Sequence, residues 1–205
     1  MHVTFLLYEG VEPVDLAAIG VISMARRIIP ELSYETVAAT RDAVQFSNGL
    51  MVLPTKTFDE VKDVDVLLVP GGPGWRKASK DPVIQAFTRR VAPGATLCSV
   101  CTGAMILAEA GLLDGKAATT KIEVVLPEVS PLLELRERFP SVQAERALLV
   151  DAGQVITGGG VTLCIDAVLY LLEKRFGEQA ANEVSRIMEY SAARSANQAR
   201  LALLA

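Results

Sequence analysis

The chain carries three cysteines and a single histidine, so any covalent chemistry falls first to sulfur. Cys101 lies in Ser99-Val100-Cys101-Thr102-Gly103, with small residues two places before it and two places after. The run Thr96 to Val100 leads in as a short buried strand, and Met105-Ile106-Leu107 leads out as a helix stopped at Gly111. A nucleophile raised on a sharp strand-to-helix turn needs this spacing, because larger side chains collide across the turn. The sulfur would sit at a helix N-terminus, where unpaired N–H groups favour thiolate. Free cysteine is often an inert buried hydrophobe, but this setting reads as a nucleophile.

Two other uses of the cysteines fail on geometry. Cys98 and Cys101 form a C-x-x-C pair, yet three residues of extended strand span about 10 Å, whereas bridged cysteines need Cα atoms within about 7 Å. A structural zinc site wants four ligands, and three scattered cysteines with His2 do not supply them, so no metal and no cofactor are expected.

The elements around Cys101 must bring partners to it. Val3 to Tyr8 reads as a first strand, followed by a helix from Val14 to about Arg27. Tyr34 to Ala39 reads as a second strand, and Gln45 to Val52 as a hairpin turning at Asn48-Gly49. Asp65 to Pro70 is an apolar strand breaking at Gly71-Gly72-Pro73-Gly74. Asp81-Pro82 then opens a helix that ends before Pro93-Gly94. Pro131 to Arg138 reads as a short helix, Val142 to Val150 as one or two strands, and Gln154 to Thr157 as another. Helices from Val161 to Phe176 and from Glu178 to about Ala193 follow. Alternating strands and helices mean an α/β fold with a parallel sheet covered on both faces, and ligands bind beyond the carboxyl ends of its strands. Asp15, Gly71-Gly72 and Cys101 each follow a strand, so all three fall at that edge. Gly71-Gly72-Pro73-Gly74 fits no phosphate-binding spacing, and neither does Gly158-Gly159-Gly160.

Composition narrows the class. With 205 residues the chain suits one α/β domain over 1–205, and 51% hydrophobic content argues against disorder. A net charge of −4 offers nucleic acid no basic field, and no apolar run is long enough for a membrane span. The chain opens on a strand-like segment without a signal peptide, and an odd cysteine count suits a reducing cytoplasm.

These residues together resemble the ThiJ/PfpI family of the class I glutamine amidotransferase-like superfamily. The resemblance runs through Val14-Asp15-Leu16, Val69-Pro70-Gly71-Gly72, Ser99 to Ala104, Ala110 to Gly115 and Ile156 to Gly160. Within that family the chain looks most like the isocyanide hydratases and the amidotransferase-like domains of AraC-type regulators. The resemblance implies a flavodoxin-like three-layer sandwich, usually dimeric, with Cys101 at the elbow and Asp15 facing it. Amidotransferases and PfpI-type peptidases pair the cysteine with histidine, whereas here Thr102 follows it and His2 lies at the far end of the first strand. Acid–base work therefore falls to Asp15, with backbone N–H groups around Gly71, Gly72 and Thr102 as expected binding or oxyanion donors. Where that branch reads Thr-Thr-His-Trp, this chain has Thr119-Thr120-Lys121-Ile122, which makes Lys121 a candidate pocket residue. The expected function is hydration of a small electrophile, an isocyanide to its formamide. A non-enzymatic ligand or redox sensor working through a partner, since no DNA-binding segment is recognised after Ala193, and an aldehyde-processing enzyme are the alternatives.

Overall fold

Runs such as Val66-Leu67-Leu68-Val69 are too short for helices and too apolar for a half-exposed sheet, so they form strands buried on both faces. The computed structural model describes residues 1–205. Its main sheet contains β1 (His2–Leu6), β2 (Ser33–Ala38), β3 (Lys56–Thr57), β4 (Val66–Val69), β5 (Thr96–Ser99), β6 (Leu149–Asp151), β7 (Val155–Gly158) and β8 (Leu203–Leu204). These eight strands lie in the order β8-β6-β7-β5-β4-β1-β2-β3. Every neighbouring pair is parallel except β6 with β7. A single contiguous cluster of 58 buried residues forms the core.

The helices are α1 (Ala17–Ala25), α2 (Trp75–Ala78), α3 (Pro82–Val91), α4 (Gly103–Glu109), α5 (Pro131–Arg138), α6 (Cys164–Phe176), α7 (Glu178–Ile187) and α8 (Ser191–Arg200). In one layer α6 packs with α1 and α7; in the other α4 packs with α2, α3 and α5. This is the mostly parallel, flavodoxin-like three-layer arrangement expected. No helix is long and apolar enough to cross a membrane.

Several boundaries differ from the sequence reading, each for a local reason. Pro13–Leu16 forms a 3-10 turn before α1 begins. Val44–Gln45 and Met51–Val52 do pair as a hairpin, but its loop runs from Phe46 to Leu50, longer than a two-residue turn at Asn48-Gly49. The expected last helix is two, because Glu189 takes a left-handed φ of 55° that no α-helix accommodates. Elements not foreseen include α2, which buries Trp75 directly after the glycine loop, and the two edge strands, β3 on β2 and β8 on β6.

Candidate active site

The elbow follows β5, one of the central strands. Cys101 adopts φ 53°, a left-handed conformation that is uncommon for any residue with a Cβ and costs about 1–3 kcal/mol. Its backbone is fixed from both sides. The Cys101 N–H donates to Gly159 O at 2.9 Å, while its carbonyl accepts from Thr120 Oγ1 at 2.7 Å and from Lys121 N at 3.3 Å. Thr119 is tied into the same scaffold, its N–H donating to Thr157 Oγ1 at 2.8 Å. The Thr119-Thr120 pair thus braces the turn that presents the sulfur.

Asp15 enters from the 3-10 turn after β1 and is fully buried. Its Oδ2 accepts from Gly71 N at 2.7 Å, and its Oδ1 is buried without a hydrogen-bond partner. Gly71 separates Asp15 from the elbow by the width of a backbone. A Cβ there would lie 2.3 Å from Thr102 N and 2.8 Å from Cys101 Cβ, so only glycine fits. Burial pushes the Asp15 carboxyl up to about 7, against the pull of the Gly71 N–H. An ionised oxygen without a partner in that setting is costly, and protonation relieves it.

The sulfur departs from the sequence expectation. Cys101 is 2% exposed, and burial, reinforced by the Asp15 charge, pushes its thiol up to about 12. The backbone N–H groups of Val161 and Thr102 and the Lys121 ammonium pull the other way but do not prevail. The resting group is a thiol, because desolvation outweighs the helix N-terminus. Cys98 and Cys164 are completely buried, and desolvation raises both of their thiols as well.

The expected donors are also redistributed. The Gly71 N–H is occupied by Asp15, and the Gly72 N–H donates to Thr102 Oγ1 at 2.9 Å, so neither glycine is free to meet a ligand's charge. The N–H groups beside the sulfur are those of Thr102 and Val161. Val161 is itself held at φ 52°, unusual for a β-branched residue.

A cleft of about 390 Å³ opens over the sulfur, lined among others by Glu12, Gly72, Trp75, Cys101, Thr102 and Lys121. Asp15 and Gly71 lie beneath its floor rather than on its wall. Lys121 is on the wall, its Nζ directed at the Glu123 carbonyl. Sequence reasoning missed Glu12, Trp75, Arg76 and Val161. The signals for them were weak: Glu12 precedes Asp15 by one turn, Trp75 and Arg76 follow the glycine loop, and Val161 follows Gly158-Gly159-Gly160. Arg76 lies 4.4 Å above the Trp75 ring and holds Glu134 through two hydrogen bonds of 2.6 and 2.7 Å, which pins α2 to α5. His2 stands at the opposite end of β1, its Nδ1 2.8 Å from Ser33 Oγ, and takes no part in the cleft.

A thiol on a left-handed elbow, at the carboxyl edge of a mostly parallel sheet and above a buried carboxyl, defines a cysteine-elbow α/β protein. The DJ-1/PfpI family model matches residues 1–174, and the chain belongs to that family. It is 32% identical over 196 residues to the isonitrile hydratase of Pseudomonas putida, covering 94% of this chain and 80% of that protein. It is 30% identical to the HTH-type transcriptional regulator CdhR of Pseudomonas aeruginosa over 88% of this chain, but spans only 52% of the regulator. Among solved structures, a ThiJ/PfpI family protein from Pseudomonas syringae superposes with a TM-score of 0.80 at 28% identity, over 93% of this chain and 75% of that one.

Proposed function

We propose that the protein is a cofactor-independent hydratase that converts an isocyanide to its N-substituted formamide. The observation that carries this reading is Asp15, a buried carboxyl raised to about 7 beside the Cys101 elbow, directly beneath the floor of a cleft that no histidine lines. Such a group is available both as acid and as base at working pH. Similarity to the isonitrile hydratase supports the substrate class.

The Cys101 sulfur forms a bond to the terminal carbon of the isocyanide while its proton passes to the Asp15 carboxylate. Asp15 returns that proton to the same carbon, giving a thioimidate. Water then adds to the thioimidate carbon, and the proton it loses passes through Asp15 to the nitrogen. Collapse of the adduct breaks the carbon–sulfur bond, releases the formamide and restores the thiol. The N–H groups of Thr102 and Val161 hold the sulfur as its charge changes. Incubation with cyclohexyl isocyanide and detection of N-cyclohexylformamide tests the reading, with Cys101→Ala expected to abolish turnover and Asp15→Asn to slow it by about 10²–10⁴. Absence of formamide, or undiminished turnover by Cys101→Ala, refutes it.

The similarity to a transcriptional regulator favours a second reading, a ligand-binding module that signals through a partner. Saturable binding of an isocyanide without turnover would support it. A homodimer suits either reading. Leu50, Met51 and Leu53 are exposed apolar side chains on and just after the hairpin whose Ser47 hydroxyl donates to Glu12 at 3.3 Å, and a second copy would cover them. A monomeric mass by light scattering would exclude this. Three free cysteines suit a reducing, cytoplasmic setting.

A further inference from the structure

Beside the elbow cleft lies a smaller hollow of about 110 Å³ that shares two wall residues with it, Lys121 and Val161. Its charged lining is one-sided. Lys121, Arg146 and Arg200 bring three cations against the single carboxylate of Glu123. This local excess stands on a chain whose net charge is −4. Two of its charges are available to a ligand. Arg200 forms no ion pair, and Arg146 meets only Glu123, at 3.2 Å between side chains that are 63% and 79% exposed. An exposed pair of that kind is weak, so an incoming anion displaces it readily. Lys121 is laid along the boundary by Gly160, where a Cβ would come within 2.8 Å of Lys121 Cγ. The elbow cleft, by contrast, is balanced, with Glu12 and Glu128 against Arg76 and Lys121. The adjoining hollows therefore grow more positive from the elbow toward Arg146 and Arg200.

We propose that this basic hollow is an anion subsite, and that the protein's substrate is a small electrophile carrying a carboxylate, held by Lys121, Arg146 and Arg200 while its reactive carbon lies over Cys101. The substrate part of the proposal rests on the hydratase reading; the subsite does not. Three features fit a carboxylate: its size, a planar acceptor for two guanidinium groups, and a cation at the shared wall to span the two cavities.

Alkylation of Cys101 tests the subsite without turnover. Iodoacetate and iodoacetamide react alike, the sulfur displacing iodide to form a carbon–sulfur bond as the thiol proton leaves to solvent, but only iodoacetate is an anion. The ratio of their rate constants at Cys101 is measured in the native protein and in Arg146→Gln/Arg200→Gln. The iodoacetate preference is expected to fall about three- to tenfold in the variant, the worth of two exposed cations. Inorganic phosphate should slow iodoacetate, but not iodoacetamide, in the native protein only. Arg200→Lys, which keeps the charge, should keep most of the preference and guards against a variant that misfolds. A ratio unchanged within twofold in the double variant overturns the subsite. The substrate class is then read from kcat/KM for isocyanoacetate against methyl isocyanoacetate. Preference for the anion, lost in the double variant, supports it, and equal values overturn it. Hydration of neither compound, with the alkylation ratio still falling, overturns the hydratase reading and leaves the subsite standing.

Discussion

Replacing Asp15 by asparagine removes a proton site while keeping the outline of the side chain, and the structure sets the size of the effect on stability. An exposed aspartate titrates at 3.8, whereas burial raises Asp15 to about 7 in the folded protein. Between those values the folded chain binds the proton and the unfolded chain does not, so stability falls as pH rises through the window and levels off above pH 7. The accumulated penalty is about 1.5 kcal/mol at pH 5 and about 4 kcal/mol at pH 8. Asparagine retains an acceptor for the Gly71 N–H but leaves an amide group where Oδ1 has no partner, which costs about 1–3 kcal/mol at every pH. That cost cancels between two pH values. Relative to the native chain, Asp15→Asn should therefore gain about 2.5 kcal/mol on going from pH 5 to pH 8. In thermal melts this is a relative shift of about 5–10 °C for a chain of this size. Urea unfolding of both proteins at the two pH values measures it. Parallel stability curves would show that Asp15 is ionised at no cost, and the argument for its acid–base role would go with them.

Cys101 should alkylate ahead of Cys98 and Cys164, since it alone of the three lines the cleft; peptide mass spectrometry after limiting iodoacetamide reads the order, and equal labelling contradicts the elbow. Asp15→Asn should alkylate faster than the native protein, because its charge helps hold the thiol up. Gly71→Ala would drive a Cβ against the Thr102 backbone, and a loss of at least about 2 kcal/mol is expected in urea unfolding; a neutral result would mean that the floor yields.

The central strands were legible because they are apolar on both faces, as in Val66-Leu67-Leu68-Val69. Cys101 and Asp15 were legible because each follows such a strand, and strand direction alone brings them to one edge. The charge state of the sulfur was not. A helix N-terminus can be read locally, but the burial that overrides it comes from elements remote in sequence, with the Gly71 backbone, 30 positions back in the chain, packed against Cys101. The glycine donors were misjudged for a similar reason: partners for the N–H groups of Gly71 and Gly72 are long-range contacts, from Asp15 and Thr102. The break at Glu189 and the pairing of β8 also left no periodic signal, since one is a single dihedral angle and the other a two-residue contact.

The two sides of the cleft differ in how they can open. Its floor hangs from β4 and β5, central strands whose backbone bonds are shared with neighbours on both sides. Its outer wall draws Val124, Glu128 and Val129 from a stretch without helix or strand, in which Val125 and Leu126 are 76% and 89% exposed. Amide protons in the floor can exchange with solvent only when much of the sheet comes apart, while the wall can separate from it at little cost. Traffic into and out of the cleft can then run on the fast clock of a loop, and the alignment of sulfur with carboxyl keeps the slow clock of the whole fold.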